Sequence, residues 1–372
     1  MGMTIQELLQ TTVERDASDL HLTSHIPPRI RIHGDLISLD QASLTPAETK
    51  SLVYSLLTDR QKKQFEDKLE LDFSFGISDL GRFRGNVFMQ KGSVAGAFRK
   101  LHSQMWNFSQ LGLPKRLEQL CYLPRGLILL TGPTGCGKST TLACMINYIN
   151  SRRGVHVITV EDPIEYFFSP DKSIINQREL FVDTHSYPNA LRAVLREDPD
   201  VVLVGEMRDL ETVEATLRVA ETGHLTFSTL HTNSAAETIS RIVDIFPPQH
   251  QSQVRVMLSM CLEAVITQSL LPRSDREGRV LALEILIPNS AIRNLIRENK
   301  IHQIYSTMQM GQEKFGMQTF NQSLASLYYQ GAIALETAMN ATSKQEELTD
   351  IIQRKEGLKV TSKEFAPKQM RK

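Results

Sequence analysis

The sequence predicts an α/β protein: a core of parallel strands and helices, preceded by a smaller α+β domain. Three observations predict it. Beyond residue 125, short β-branched or apolar runs (Gly126–Thr131, Val155–Val160, Val201–Val204, Leu225–Leu230) alternate with helical patterns, as buried parallel strands do. Residues Gly132–Thr140 read GPTGCGKST, set between the run Leu127–Leu130 and a helix-like stretch, Thr141–Asn150. Before residue 102 the chain alternates apolar and polar residues in short stretches broken by glycine-containing turns, which reads as a mostly antiparallel sheet.

Each element follows from local pattern. Ile5, Leu8, Leu9, Thr12 and Val13 fall on one face of a first helix. Leu20–Leu22 follows a turn. Ile26-Pro27-Pro28 interrupts the chain, and Arg29–Ile32 alternates as far as His33-Gly34-Asp35. Ser43–Leu57 is a second helix; Leu71–Phe75, Arg82–Gln90 and Val94–Leu101 are strands. Residues 1–101 therefore form the first domain. Residues 102–115 read as a linker, because Gly112-Leu113-Pro114 breaks regular structure; Trp106, the only tryptophan, lies there. Residues 116–343 form the core, mainly helical from about Val280 to Gly331, and 344–372 is a polar tail, loosely ordered at its end. Two domains suit 372 residues at the usual size of about 100–200 residues each.

Composition excludes more than it assigns. Lys plus Arg total 42 and Asp plus Glu total 42, so the basic excess of a dedicated nucleic-acid binder is missing. No apolar run approaches the roughly 20 residues that cross a bilayer. Met1–Leu20 is amphipathic with an early acid, which does not read as a secretory signal. The four cysteines (Cys121, Cys136, Cys144, Cys261) form no CxxC pair, so neither a zinc knuckle nor a disulfide framework is expected.

GPTGCGKST matches the phosphate-binding loop G-x-x-x-x-G-K-[ST] in full, and in the required strand-to-helix context. Gly132, Gly135 and Gly137 let the backbone curl, so that the N–H groups of Gly132, Pro133-Thr134, Gly135, Cys136 and Gly137 onward face phosphate oxygens where a donor exists. The helix N-terminus adds its positive dipole end. Lys138 reaches the outer phosphates, Ser139 offers a hydroxyl to Mg²⁺, and Thr140 completes the motif. Three further segments supply chemistry. Val160–Glu165 ends a strand with Glu161, Asp162 and Glu165, and Glu161 or Glu165 is placed to hold Mg²⁺ directly or through water; the bland alternative is strand-end solvation. Asp198–Glu206 is a strand that ends in an acid, and Glu206 is the candidate to orient and deprotonate water. Arg208 and Asp209 follow, Asp209 as a helix cap. Thr222–Asn233 carries His224 and His231 at the two ends of a strand. A lone histidine is ordinarily structural; His231, at the carboxyl end, is the candidate γ-phosphate sensor, and His224 the one that orders its neighbours.

In this order and spacing, the segments resemble the secretion and type IV pilus ATPase superfamily over nearly the whole chain. Ala17–Leu22, Pro27-Pro28 and Arg82-Phe83-Arg84-Gly85-Asn86 are similar to its PAS-like N-terminal domain, and the core is similar to its RecA-like domain with Walker A, Asp, Walker B and His boxes. Ala291–Glu298 reads AIRNLIRE, which resembles a signature of the family's retraction ATPases; Ile301–Ile304 and Gly316–Thr319 continue the likeness. Assembly and secretion members carry a four-cysteine insert that this chain lacks. Cys136 stands where serine is usual.

The resemblance implies a homohexameric ring that hydrolyses ATP to ADP and phosphate with Mg²⁺ and drives type IV pilus retraction. It implies action at the cytoplasmic face of the inner membrane, with a membrane platform protein and other pilus ATPases as partners, and no nucleic acid or membrane insertion. It places ATP between the first domain of one subunit and the core of the next. Arg82, Arg84 and Arg99 are then candidates to reach γ-phosphate across that boundary, against a plain surface-charge reading; Arg192 and Arg196 are alternatives within the core. Rival readings are an accessory retraction ATPase, an assembly ATPase, a RecA-like nucleic-acid translocase and a small-molecule kinase.

Overall fold

The structure, a computed structural model, describes residues 3–101, 104–311 and 315–364, with side chains as far as Arg354. The chain divides into two compact units: Met1–Gln104 with Pro163–Phe167, and Met105–Asp162 with Phe168–Lys372.

In the first unit, six strands run β1 (Asp19–Leu22), β2 (Arg29–Ile32), β3 (Asp35–Ser38), β4 (Glu70–Ile77), β5 (Gly81–Gln90) and β6 (Ser93–Lys100). They form one sheet in the order β3-β2-β1-β6-β5-β4, with every pairing antiparallel. Helices Ile5–Glu14, Pro46–Tyr54 and Asp59–Lys68 flank it, and each opens with a threonine capping box. Alternation sorts the faces: Leu20, Leu22, Ile30, Phe83, Val87 and Phe98 turn into the core. Gly85 is required there, since a Cβ would lie 2.7 Å from the Phe73 ring.

The second unit holds a seven-stranded sheet. Its strands are β7 (Gly126–Thr131), β8 (His156–Glu161), β9 (Ile174–Glu179), β10 (Val201–Val204), β11 (Leu225–Leu230), β12 (Leu262–Pro272) and β13 (Arg279–Leu286), in the order β13-β12-β7-β11-β10-β8-β9. All pairings are parallel except β12 with β13. β7, β10 and β11 are buried along their whole length, which is why they read as unbroken apolar runs. The carboxyl ends of β7, β8, β10 and β11, four adjacent strands, deliver the phosphate loop and the acidic and histidine segments to one edge.

Two expectations change. The stretch from Val280 is not helical at once: β13 runs to Leu286 and pairs antiparallel with β12. Helices follow it only from Ser290. Residues Gln345–Glu364 form a helix, anchored by buried Leu348 and Ile352; the loosely ordered end falls on 365–372, outside the described residues. The segment expected to link the domains contains a short helix, Phe108–Leu111, while residues 102 and 103 also lie outside the description. Among the described residues, no helix is long and apolar enough to cross a membrane.

Candidate nucleotide site

The loop after β7 has the backbone of a phosphate cradle. Gly132, Gly135 and Gly137 adopt φ of +134°, +78° and +89°, a region that side chains disfavour. A Cβ on Gly132 would also overlap the Gln268 carbonyl oxygen. Gly137 caps the helix Lys138–Arg152 without any side-chain hydrogen bond. An N-terminus uncapped by a side chain is a ready anion site. Lys138 is buried; its ammonium donates to the carbonyls of Gly132 (2.8 Å) and Pro133 (3.1 Å). Cys136 points its thiol inward, where burial pushes its pKa up, and its carbonyl accepts from the Gln268 side chain at 2.7 Å. What the position gives to this bond is its backbone carbonyl. Pro133, Thr134 and Gly135 are exposed, and Ser139 and Thr140 are half-buried on the first helical turn.

Glu206 lies just past β10, held from both sides. Its Oε2 meets Arg208 at 2.8 Å, and its Oε1 meets His231 Nε2 at 3.1 Å. Burial opposes ionisation here, but Arg208 and His231 outweigh it and hold the carboxyl below the usual glutamate range. The other ring nitrogen of His231, Nδ1, lies 3.4 Å from Lys138 Nζ. Where the Lys138 ammonium donates to Nδ1, Nε2 is left to face Glu206. The His231 ring thus joins the acidic segment to the phosphate loop.

The remaining candidates fall into three groups. Glu161 ends β8, with Oε1 accepting from Thr159 (2.7 Å) and Gln177 (3.3 Å). Asp209 caps the helix Leu210–Glu221, and His224 Nδ1 donates to the Val219 carbonyl at 3.0 Å and lies 3.2 Å from the Thr222 hydroxyl. Arg192 bonds to Asn189 on its own helix, and Arg196 is exposed beyond it. Glu165 belongs to the segment Pro163–Phe167 and so to the first unit. In that unit Arg82 bonds Ser74 and lies 4.1 Å from the Phe167 ring centroid; Arg84 lies 3.7 Å from Asp72, and Arg99 pairs with buried Asp19 at 2.8 Å.

Tyr187 is a group the sequence reading misses. Its hydroxyl lies where a Cβ on Gly205 would come within 2.9 Å, and burial together with Asp162, Glu161 and Glu206 pushes its pKa well up. It opens its helix as Tyr187-Pro188, a pattern that signals a helix start and nothing more. Among the described residues, no group of three or more His, Cys, Asp or Glu side chains is placed to hold a metal. One hydroxyl and separated carboxylates suit Mg²⁺, which keeps its waters and relies on substrate phosphates.

The Type II/IV secretion system protein family (T2SSE) matches residues 2–357. The chain is 47% identical to the type IV pilus retraction ATPase PilT of Pseudomonas aeruginosa, over 90% of this chain and 97% of that one. It is 48% identical to a twitching motility protein of Neisseria gonorrhoeae, over 94% and 93%. A crystal structure of the pilus retraction motor PilT with bound ADP superposes with a TM-score of 0.87 at 55% identity, covering 94% of this chain and 99% of that one. The chain belongs to the type II/IV secretion system protein family, among its type IV pilus retraction ATPases.

Proposed function

We propose that this protein is a homohexameric motor that hydrolyses ATP to ADP and phosphate and so drives type IV pilus retraction. The observation that carries the reading is Glu206, held between Arg208 and a His231 that also reaches Lys138 of the phosphate loop. It works from the cytoplasmic face of the inner membrane on a membrane platform protein. The first unit acts as a PAS-like domain of the ring.

The loop Gly132–Thr140 binds the phosphates by its N–H groups and by Lys138, which turns from its own loop carbonyls to phosphate oxygens. Mg²⁺ bound with the nucleotide supplies charge neutralisation, held by Ser139 and, through water, by Glu161 or Glu165. Glu206 orients the attacking water. While Arg208 holds Oε2 the carboxylate is a weak base, so orientation outweighs deprotonation. His231 registers the γ-phosphate because Lys138 and Glu206 share its ring. Arg82 and Arg84 of a neighbouring subunit stabilise transition-state charge.

The test measures phosphate release and native mass for wild type and Glu206→Gln. A hexamer whose turnover falls by about 100-fold or more in the variant is expected. A monomer with unchanged turnover in Glu206→Gln would sink the proposal. Deleting the gene separates retraction from assembly: surplus, unretracted pili support the first, and loss of all pili opposes it.

A further inference from the structure

One deeply buried carboxylate lies outside the site described above. Glu284 is 3% exposed and sits on β13, opposite Thr267 of β12. Its Oε1 accepts the backbone N–H of Ala235 at 2.7 Å, and the carboxylate also accepts the N–H of Phe320. Both donors are the first residues of helices, Ala235–Asp244 and Phe320–Tyr329. Burial raises the Glu284 pKa, against the two N–H groups and the charge of Lys344. A carboxylate in that setting is costly unless its lone pairs are used.

The two helices lead to different places. Ala235 follows His231-Thr232-Asn233-Ser234, so its first turn fixes the strand end that carries His231. Thr232 and Thr238 join hydroxyls at 2.6 Å across the same turn. Phe320 opens a helix that packs with Gln345–Glu364. Two residues before it lies Gln318, whose backbone bridges to Ile285 of β13, next to Glu284. The sheet row continues to the phosphate loop, because Thr267 bonds Thr131 at 2.8 Å, immediately before Gly132. Glu284 therefore lies two strands from β7, which leads into the loop, and touches both the His231 segment and the C-terminal helices.

We propose that Glu284 is a positioning residue for hydrolysis: it sets where His231 meets Glu206 and Lys138, and it ties that setting to the helix Phe320–Tyr329. The inference rests on the reading of Glu206 and His231 given above. A carboxylate is needed because it alone accepts from two helix termini at once. Glutamine keeps one acceptor and turns an N–H₂ toward the other donor.

The experiment compares steady-state ATP hydrolysis in wild type, Glu284→Gln, His231→Ala and the double variant, together with ATP affinity and thermal midpoint. Thr238→Val supplies a second route, since it loosens the same turn without a buried charge and serves if Glu284→Gln does not fold. The expected result is kcat lowered about tenfold in Glu284→Gln with KM within twofold, and no further loss when it is added to His231→Ala. Thr238→Val behaves the same way, more mildly. A merely structural role moves the thermal midpoint and leaves kcat of the folded protein at the wild-type value, which overturns the inference. So do losses in the double variant that multiply. If His231→Ala lowers kcat while Glu284→Gln and Thr238→Val do not, the inference falls and the function stands. If His231→Ala hydrolyses at the wild-type rate, the inference falls together with the γ-phosphate-sensing role given to His231, while the ATPase reading is decided by Glu206→Gln.

Discussion

Glu206 has an acid-side signature. Its folded-state pKa lies below the ordinary glutamate value, and Arg208 and His231 cause the lowering against burial. Activity that needs the carboxylate is therefore retained well into acid and lost only as pH falls through that depressed value. Removing Arg208 removes a hydrogen bond and a charge that favour ionisation, so the pKa rises. The acid limb of the kcat profile in Arg208→Ala should move to higher pH, which a stopped phosphate assay across pH 4 to 8 measures; a limb that stays put argues against Glu206 as the group observed. Gly205 is the neighbouring constraint. A Cβ there would stand 2.9 Å from the Tyr187 hydroxyl and 3.3 Å from both Glu161 Cα and the Val160 carbonyl. Gly205→Ala should push Glu206 and Tyr187 apart and lower kcat by about tenfold with ADP affinity intact, because placing groups to within about an ångström matters for rate. Unchanged kcat in that variant refutes the crowding. Glu206 and His231 are legible in the sequence, since each ends a recognisable buried strand. Tyr187 is not: it lies 19 positions from Glu206 in sequence and only packing brings them together.

Helices and strands show where pattern stops being informative. The AIRNLIRE stripe reads directly, with Ile292 and Ile296 fully buried and Leu295 packed against the same core. Its arginines do not read from the sequence. Arg293 donates to the carbonyls of Ser259 (2.9 Å) and Met260 (3.3 Å) and pairs with Glu263 at 3.0 Å. It caps the end of the helix Pro248–Cys261, which turns into β12 at the very next residue with no glycine or proline between. That direct junction hides β12 from periodicity: the helix is stopped by a cap supplied from 33 and 34 residues away, not by a local breaker. β9 is hidden for another reason. As an edge strand it is mixed in burial and carries Asn176, Gln177 and Arg178, so no apolar run marks it. Arg293→Ala should lower stability by about 1–2 kcal/mol through the lost carbonyl caps. Arg297 bonds only Asn294 among the contacts resolved for it, on an exposed face, and Arg297→Ala should change stability by less than about 0.5 kcal/mol. Urea unfolding of the two variants decides it, and equal midpoints would remove Arg293 from the capping role.

At the level of the molecule, the two units keep separate cores. Phe65, Phe73, Phe83 and Phe98 belong to the first; the second packs its own clusters against the seven-stranded sheet and around the C-terminal helices. The phosphate loop, Glu206 and His231 all belong to the second unit, and Arg82 and Arg84 to the first. In the proposed ring each reaction centre takes its core from one subunit and its arginines from the neighbour. Subunit mixing tests this. A Glu206→Gln subunit has an intact first unit and a disabled core; a subunit with Arg82→Ala and Arg84→Ala has the reverse. Each alone should be close to inactive. Mixed in equal amounts and allowed to form rings at random, half the cores and half the neighbouring first units are intact, so about a quarter of the sites are complete. Phosphate release should then recover toward about a quarter of the wild-type rate, scaling with the product of the two fractions as the ratio is varied. If arginines and core act within one chain, no mixed ring holds a complete site, and the mixture releases no more phosphate than the average of its two inactive parents.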